Sequence, residues 1–397
     1  MRRVLVTGLT VLAIGLVLSV VFQVWDGFLG GGGEALAQPQ PTPIAPRVPT
    51  LVQMGVDAAV IWRGFDQKWT SANHRLNRLG DYVGGVNFDG ETCSANLVHA
   101  AASGLAGDIA RFTSYYTTIA ARGVGFQPGE RSLVLSGTEG VPINIDAPIS
   151  LHANDNLKNR GQYVAILNGF DLCADESADK LKYFKISLSN PTYDSTTERL
   201  EFTIYVDLTV NCTSAECPAK DDVDYNVKVY YLIIGGEEGH FHKVSMECAR
   251  HYTWDTDDEI HLRDVNEEHT LQSEAGYSVG VFAFRSLEFD LDDDHWMFGW
   301  ASTVQPLSYN AQTGIGECNL ALLFKQWTTG MRVGAEKRPG SATLTARVVL
   351  LQFGNADRRN KSVSGSVEWA GTEGGASSSG CSEDAMTTQK IEFSAEI

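Results

Sequence analysis

The feature that most constrains this chain is a series of strand-like runs that recurs in the same order. Ile149-Ser-Leu-His precedes "GQYVAILNGFDL", and Ile260-His-Leu-Arg precedes "GYSVGVFAFRSLEFDL". Val164 lies 115 residues before Val279, and Pro191 in "LSNPTYD" lies 115 before Pro306 in "TVQPLSYN". "LEFTIYVDL" answers "CNLALLFKQW", and "NVKVYYLIIGG" answers "TARVVLLQFGN". "KVSMECA" answers "SVSGSVEWA", with Val244-Ser245 lying 119 before Val363-Ser364. Each run is rich in Val, Ile, Tyr and Phe and ends in turn-forming residues, and ordered recurrence at a near-constant spacing marks a duplicated unit. The expected fold is mainly β, with two tandem antiparallel β-sandwiches of similar topology at residues 147–259 and 260–397. "KIEFSAEI" closes the second as a C-terminal strand.

Ahead of the duplication, residues 51–146 carry mixed signals. "AAVIWRGF" is strand-like. "SANLVHAAASGLAGDIARFTSYYTTIAARG" places Leu97, Val98, Ala101, Leu105, Ile109, Phe112, Tyr116 and Ile119 at helical spacing. Ser94 is suited to cap its start and Gly123 its end, so the spacing predicts one long α-helix over 94–122.

The ends speak to location. Met1-Arg2-Arg3 precedes an apolar run from Val4 to Trp25, long enough to span a bilayer as a helix. Ala35-Leu36-Ala37 is a good cleavage signature, so residues 1–37 read as a signal peptide or an uncleaved signal anchor. Residues 38–50, "QPQPTPIAPRVPT", form a Pro-rich linker. Both readings export the remaining chain, secreted or exposed at the cell envelope, touching membrane only through residues 4–25 if these persist. The net charge of −18 repels phosphate backbones and argues against a nucleic-acid partner.

One family resemblance enters here. "YVAILNGFDL", "KYFKISLSNPTYD", "LEFTIYVDL" and "VKVYYLIIGG", spanning residues 163–236, are similar to the H-type lectin sandwich. The resemblance implies a β-sandwich and carbohydrate recognition. The Trp-x-Asp-Thr segment of that family is absent, and its sugar-contacting arginine would fall near Lys185, so no binding residue carries over.

Chemistry candidates are few. "GHFHKVSMECARH" gathers His240, His242, Glu247, Cys248 and His251. As a strand it would turn His240, His242, Val244, Met246 and Cys248 to one face, a parity compatible with a transition-metal site at His240, His242 and Cys248. Counting 119 onward places Arg359 and Lys361 opposite the two histidines, which instead suggests an exposed strand start. "GYSVG" matches the nucleophile-elbow string, but a strand-like run follows Ser278 where that chemistry needs a helix. The acidic runs "DTDDEIHLRD" and "FDLDDDHW" leave calcium open without forming an EF-hand. Of seven cysteines, Cys212 and Cys217 flank a short run between strand-like segments and are expected to form a disulfide. Asn211 and Asn360 head glycosylation sequons. No cofactor is called for. The leading expectation is an exported, non-catalytic binding protein with a surface glycan or envelope component as partner. An envelope assembly component, with homo-oligomerisation open, stands second, and a metal-dependent enzyme third.

Overall fold

A computed structural model describes residues 55–69, 76–103, 109–138, 140–174, 180–211, 223–254, 266–291, 295–328, 340–354, 360–370, 381 and 386–395. These residues all fall within one compact unit, Val52–Ile397. The Val-, Ile-, Tyr- and Phe-rich runs become antiparallel strands, and no helix occurs among the described residues. The first four strands are β1 (Val56–Trp69), β2 (Leu76–Phe88), β3 (Thr92–Ser103) and β4 (Ile109–Arg122). Next come β5 (Val124–Gly137), β6 (Ile143–His152), β7 (Gln162–Ala174), β8 (Lys180–Leu188), β9 (Thr192–Asp194), β10 (Arg199–Asn211) and β11 (Val223–Gly236). Then follow β12 (Phe241–Trp254), β13 (Asn266–Gln272), β14 (Val279–Leu291), β15 (His295–Asn310), β16 (Ile315–Thr328) and β17 (Gly340–Phe353), and finally β18 (Lys361–Ala370) and β19 (Met386–Ser394).

The predicted helix over 94–122 is replaced by β3 and β4. The reason is burial on both faces. Phe112, Thr113, Ser114, Thr117, Thr118, Ile119, Ala120 and Ala121 are all buried, which erases the alternation expected of a half-buried strand and leaves an apolar spacing that resembles a helix. The β-branched run Thr117-Thr118-Ile119 favours the extended chain that forms.

The two independent sandwiches are likewise replaced, by three interlocked sheets. One ladder runs β13-β16-β15-β1-β4-β18. A second runs β19-β3-β2-β7-β11-β5, and a third β6-β10-β8-β14-β17-β12, with β9 beside β10. The second and third touch through the single pair Phe284↔Leu167. The registers repeat with threefold regularity. β1 pairs with β4, β7 with β11 and β14 with β17, and each ladder skips one residue of the first strand: Arg63, Asn168 or Arg285. Just past that bulge, β1, β7 and β14 each pair over five residues with β15, β2 and β8. The pairs Gly64↔Thr303, Tyr82↔Gly169 and Ser187↔Ser286 are therefore equivalent.

Facing layers group these strands into three lobes. Lobe 2 packs β5-β11-β7 on β8-β10-β6 and is contiguous, as Phe202 against Tyr231 and Gly137 against Ile143 show. Lobe 3 packs β12-β17-β14 on β15-β16-β13, with Gly316 against Phe282 and Leu350. Lobe 1 packs β18-β4-β1 on β2-β3-β19, so both ends of the described chain meet there. Every sheet spans two lobes, and this sharing is why no lobe stands as a separate sandwich. Within this scheme Val244 and Val363 are equivalent: Met246 lies opposite Val348, Gly365 lies opposite Tyr116, and Val348 and Tyr116 themselves correspond. The N-terminal region is a third copy.

At one end of the molecule, near the axis, all three lobes contribute to an apolar cluster. Ala59, Ile61, Ile119 and Ala121 of lobe 1 meet Val164, Ile166, Leu232 and Ile234 of lobe 2 and Val281, Ala283, Val349 and Leu351 of lobe 3. Close approach beside the bulge of lobe 1 needs glycine. A Cβ on Gly64, whose φ is +105°, would lie 1.8 Å from the Ser302 carbonyl oxygen.

Candidate functional site

The residues of the opening histidine stretch separate. His240 lies in the turn before β12, where its Nδ1 sits 3.2 Å from the Arg122 carbonyl oxygen. Its ring covers Gly123, whose added Cβ would meet it at 2.1 Å. His242 has the Glu274 carboxylate at 3.8 Å. Cys248 is buried in the core, as the parity reading requires of a face shared with Val244 and Met246. Glu247 and His251 follow the other parity, to Arg347 at 2.7 Å and Thr343 at 2.9 Å. Among the described residues, no group of three or more His, Cys, Asp or Glu is placed to hold a metal ion.

Ser278 precedes strand β14, and its hydroxyl donates to the Phe353 carbonyl at 3.0 Å. Asn360 takes part in the same axial network. Its Oδ1 accepts from Arg122 N at 3.1 Å, and its Nδ2 donates to Ser278 Oγ at 2.9 Å and to the Phe353 carbonyl at 3.1 Å. Glycosylation there would displace these bonds. Cys212 and Cys217 lie outside the described residues, as do most of the two acidic runs and all of residues 4–25. Among the described residues no helix is long and apolar enough to cross a membrane. Among the described residues a disulfide joins Cys173 of β7 to Cys381, while Cys93, Cys248 and Cys318 are buried thiols. Burial pushes the Cys93 and Cys318 thiols up to about 12, which leaves them poor nucleophiles. Lys185, the position nearest the lectin arginine, points to the outer face of its sheet and pairs with Glu288 at 3.0 Å.

The densest convergence of reactive groups lies inside lobe 1 and was not foreseen. Asp81 and His99 face each other across β2 and β3. Trp62 Nε1 donates to Asp81 Oδ2 at 2.6 Å, and the Ser114 hydroxyl donates to Asp81 Oδ1. His99 places Nδ1 3.0 Å from the Gly80 carbonyl oxygen and stacks on Phe112, while its Nε2 has no partner among the described residues. Burial raises the Asp81 carboxyl well above the ordinary carboxylate range, and burial lowers His99 to about 3, so the imidazole is neutral near pH 7. The Ser, His and Asp types of a hydrolase are present, but their order is wrong. Ser114 bonds to the carboxyl rather than the imidazole, and the imidazole bonds to a backbone carbonyl. Asp81 and Ser114 are 0% exposed and His99 5%, which shuts substrate out. Beside them Arg78 grips Asp171 through two bonds of 2.9 and 2.5 Å, joining β2 to β7. The cluster is a polar clamp between lobe layers.

Aligning the bulges would have exposed this third copy in the sequence, as Trp62-Arg-Gly-Phe-Asp66, Leu167-Asn-Gly-Phe-Asp171 and Phe284-Arg-Ser-Leu-Glu288. Comparison of the chain with protein-family models, curated proteins and solved structures yields no match.

Proposed function

We propose that the protein is an exported binding scaffold, working at or outside the cell surface, that recognises its partner with the strand connections at one end of the three-lobed unit. The observation that supports this reading most is the common direction of the strands. β1, β3, β5, β7, β10, β12, β14, β16 and β18 all finish at the end opposite the axial apolar cluster. The connections leaving that end differ sharply between copies. Residues 212–222, between β10 and β11, read "CTSAECPAKDD", whereas their lobe 3 counterpart 329–339, between β16 and β17, reads "TGMRVGAEKRP". A repeated framework carrying unlike connections is how rigid scaffolds present recognition surfaces. The H-type lectin resemblance makes carbohydrate the first ligand class to try.

A glycan array with the purified chain tests the reading. A sugar-competed signal is expected, and it should vanish when residues 329–339 are replaced by a Gly-Ser linker. No signal, or a signal that survives replacement of each connection at that end, would sink it. An assembly role is the second reading, favoured by Val363 at 62% and Val134 at 60% exposure on the outermost strands β18 and β5. Concentration-dependent oligomers without glycan signal would select it.

A further inference from the structure

We propose that Tyr82 and Tyr230 form an oxidative modification site, where a one-electron oxidant of the peroxidase class couples the two phenols into a dityrosine that ties lobe 1 to lobe 2. Tyr82 lies on β2 and Tyr230 on β11, and both pair in register with Gly169 of β7, from opposite sides. Gly169 follows the bulged Asn168 and has a φ of +120°. A Cβ there would lie 2.2 Å from Tyr82 Cα, so no side chain stands between the two tyrosines. Their rings close over the gap, with centroids 3.8 Å apart and planes 5° from parallel.

That stack is closer and flatter than packing alone favours, since aromatic pairs prefer offset or edge-on contacts at about 4.5–7 Å. A hydrogen bond between the two side chains sets the hydroxyls side by side. The ring carbons ortho to them are therefore neighbours too. A Cβ built on Gly84 would meet one from each ring, Tyr82 Cε2 at 3.3 Å and Tyr230 Cε1 at 3.7 Å. The matching places in the other two sheets hold Tyr115 with Thr303 and Arg347 with Ser187, so this sheet alone sets two phenols across the residue after the bulge.

The pair sits on the outer face of its sheet, in a small cluster with Val98 and Met386 that is separate from the main core. Each tyrosine keeps 6% of its surface exposed, which leaves only a short electron transfer to an oxidant at the surface. Each phenol gives one electron to the oxidant and loses one proton, leaving two phenoxyl radicals. These join through one ortho carbon of each ring, forming a single carbon–carbon bond, and the hydrogen on each joined carbon returns to its ring oxygen as aromaticity is restored. Hydrogen peroxide takes up the two electrons and two protons and becomes two waters. The new bond spans β2 and β11 across β7, on the sheet face that also carries Cys173 of the Cys173–Cys381 bridge. Unlike that bridge, it is not opened by thiol exchange.

Treating the purified full chain with a haem peroxidase and hydrogen peroxide tests the site, with N-acetyltyrosine coupled in parallel to show that the oxidant is active. Digestion of the monomeric product should release a linked peptide pair containing Tyr82 and Tyr230, two hydrogens lighter than its parts and fluorescent as a biphenol. Tyr82→Phe and Tyr230→Phe each keep a ring in the stack but remove one phenol, and each should abolish that pair and most of the fluorescence. The proposal is overturned if the linked pair is absent while N-acetyltyrosine couples, if it forms only between molecules, or if both variants fluoresce as the natural chain does. Should a variant fail to fold, the linked pair in the natural chain decides alone.

Discussion

Lobes 1 and 2 share strand order and register but hold their layers together differently. Lobe 2 is a contiguous stretch of chain with an apolar interior. Lobe 1 is assembled from the first four strands and the last two, and its interior is partly polar. The registers place Trp62, Asp81, His99 and Ser114 where lobe 2 has Leu167, Ile186, Val206 and Val229. Lobe 3 carries Phe284, Ser302, Leu322 and Ala346 at those places. The scaffold therefore tolerates either chemistry. Polar clamps inside a core add little net stability against a well-packed apolar alternative, but they penalise wrong pairings severely because an unmet partner is left buried. A chain with three nearly equivalent places for β18 and β19 to dock gains from one lobe that only the correct strands complete.

The largest test of this contrast is to open lobe 1. Ending the chain after Gly354 removes β18 and β19, exposes the free edges of β4 and β3, and uncovers Phe112, which packs against Trp369. Loss of a cooperative melt by circular dichroism is expected. A melt within a few degrees of the full chain would show that lobe 1 is not the closing element. Next in size is the Cys173–Cys381 bridge, which spans 208 residues and ties the segment before β19 to lobe 2. Cys381→Ser is expected to cost about 4 kcal/mol in urea unfolding, by removing a long-loop constraint on the unfolded chain.

The clamp itself comes third. Asp81→Ala leaves the Trp62 indole N–H and the Ser114 hydroxyl buried without their acceptor, and should cost about 3 kcal/mol. The triple variant Asp81→Ile, His99→Val, Ser114→Val installs the lobe 2 identities at these three places and should recover part of that loss, because only the Trp62 indole N–H is then left without its acceptor. If the triple variant is as weak as Asp81→Ala, the two lobes are not interchangeable and the comparison breaks. The pH dependence sharpens it further. His99 falls to about 3 when folded, so between pH 6.5 and 3 the unfolded chain binds the extra proton and stability drops as pH falls. Between pH 7 and pH 5 this contribution amounts to about 2 kcal/mol. Asp81 acts with the opposite sign. Its raised folded pKa contributes stability at low pH that is lost as pH rises from the ordinary carboxylate value through the folded one. His99→Val should therefore remove the acid-side loss and unmask the Asp81 trend in urea midpoints.

How much of this could be read from the letters depended on which strands kept their neighbours. Lobes 2 and 3 each run unbroken through the chain, so their matching runs stay in order, with Leu167 and Phe284 at the same register place, while Val244 and Val363 correspond between lobes 3 and 1. Lobe 1 is split between the chain ends, so β18 and β19 read as the tail of another copy and "AAVIWRGF" had no companions to identify it. Strand parity at His242 and Cys248 was legible because one face of β12 is exposed. β4, buried on both faces, gave a helical spacing instead. Asp81 and His99 belong to no motif along the chain and acquire meaning only once β2 and β3 are aligned with β8 and β10. The Cys173–Cys381 bridge joins residues far apart in sequence that only the three-dimensional pairing brings together.

If the lobes differ where their layers meet, then a charged pair on an outer face should matter little in any of them. Arg347 and Glu247 provide the case: they pair across β17 and β12 at 2.7 Å, with side chains 47% and 59% exposed. At that exposure water screens the attraction, and ordering two long side chains offsets part of what remains. Arg347→Ala should shift the urea midpoint by no more than the equivalent of about 0.5 kcal/mol, and by less in high salt. A loss of 2 kcal/mol or more would mean that the outer face of lobe 3 carries a coupled network. The contrast between lobes would then lie at their surfaces as much as at their cores.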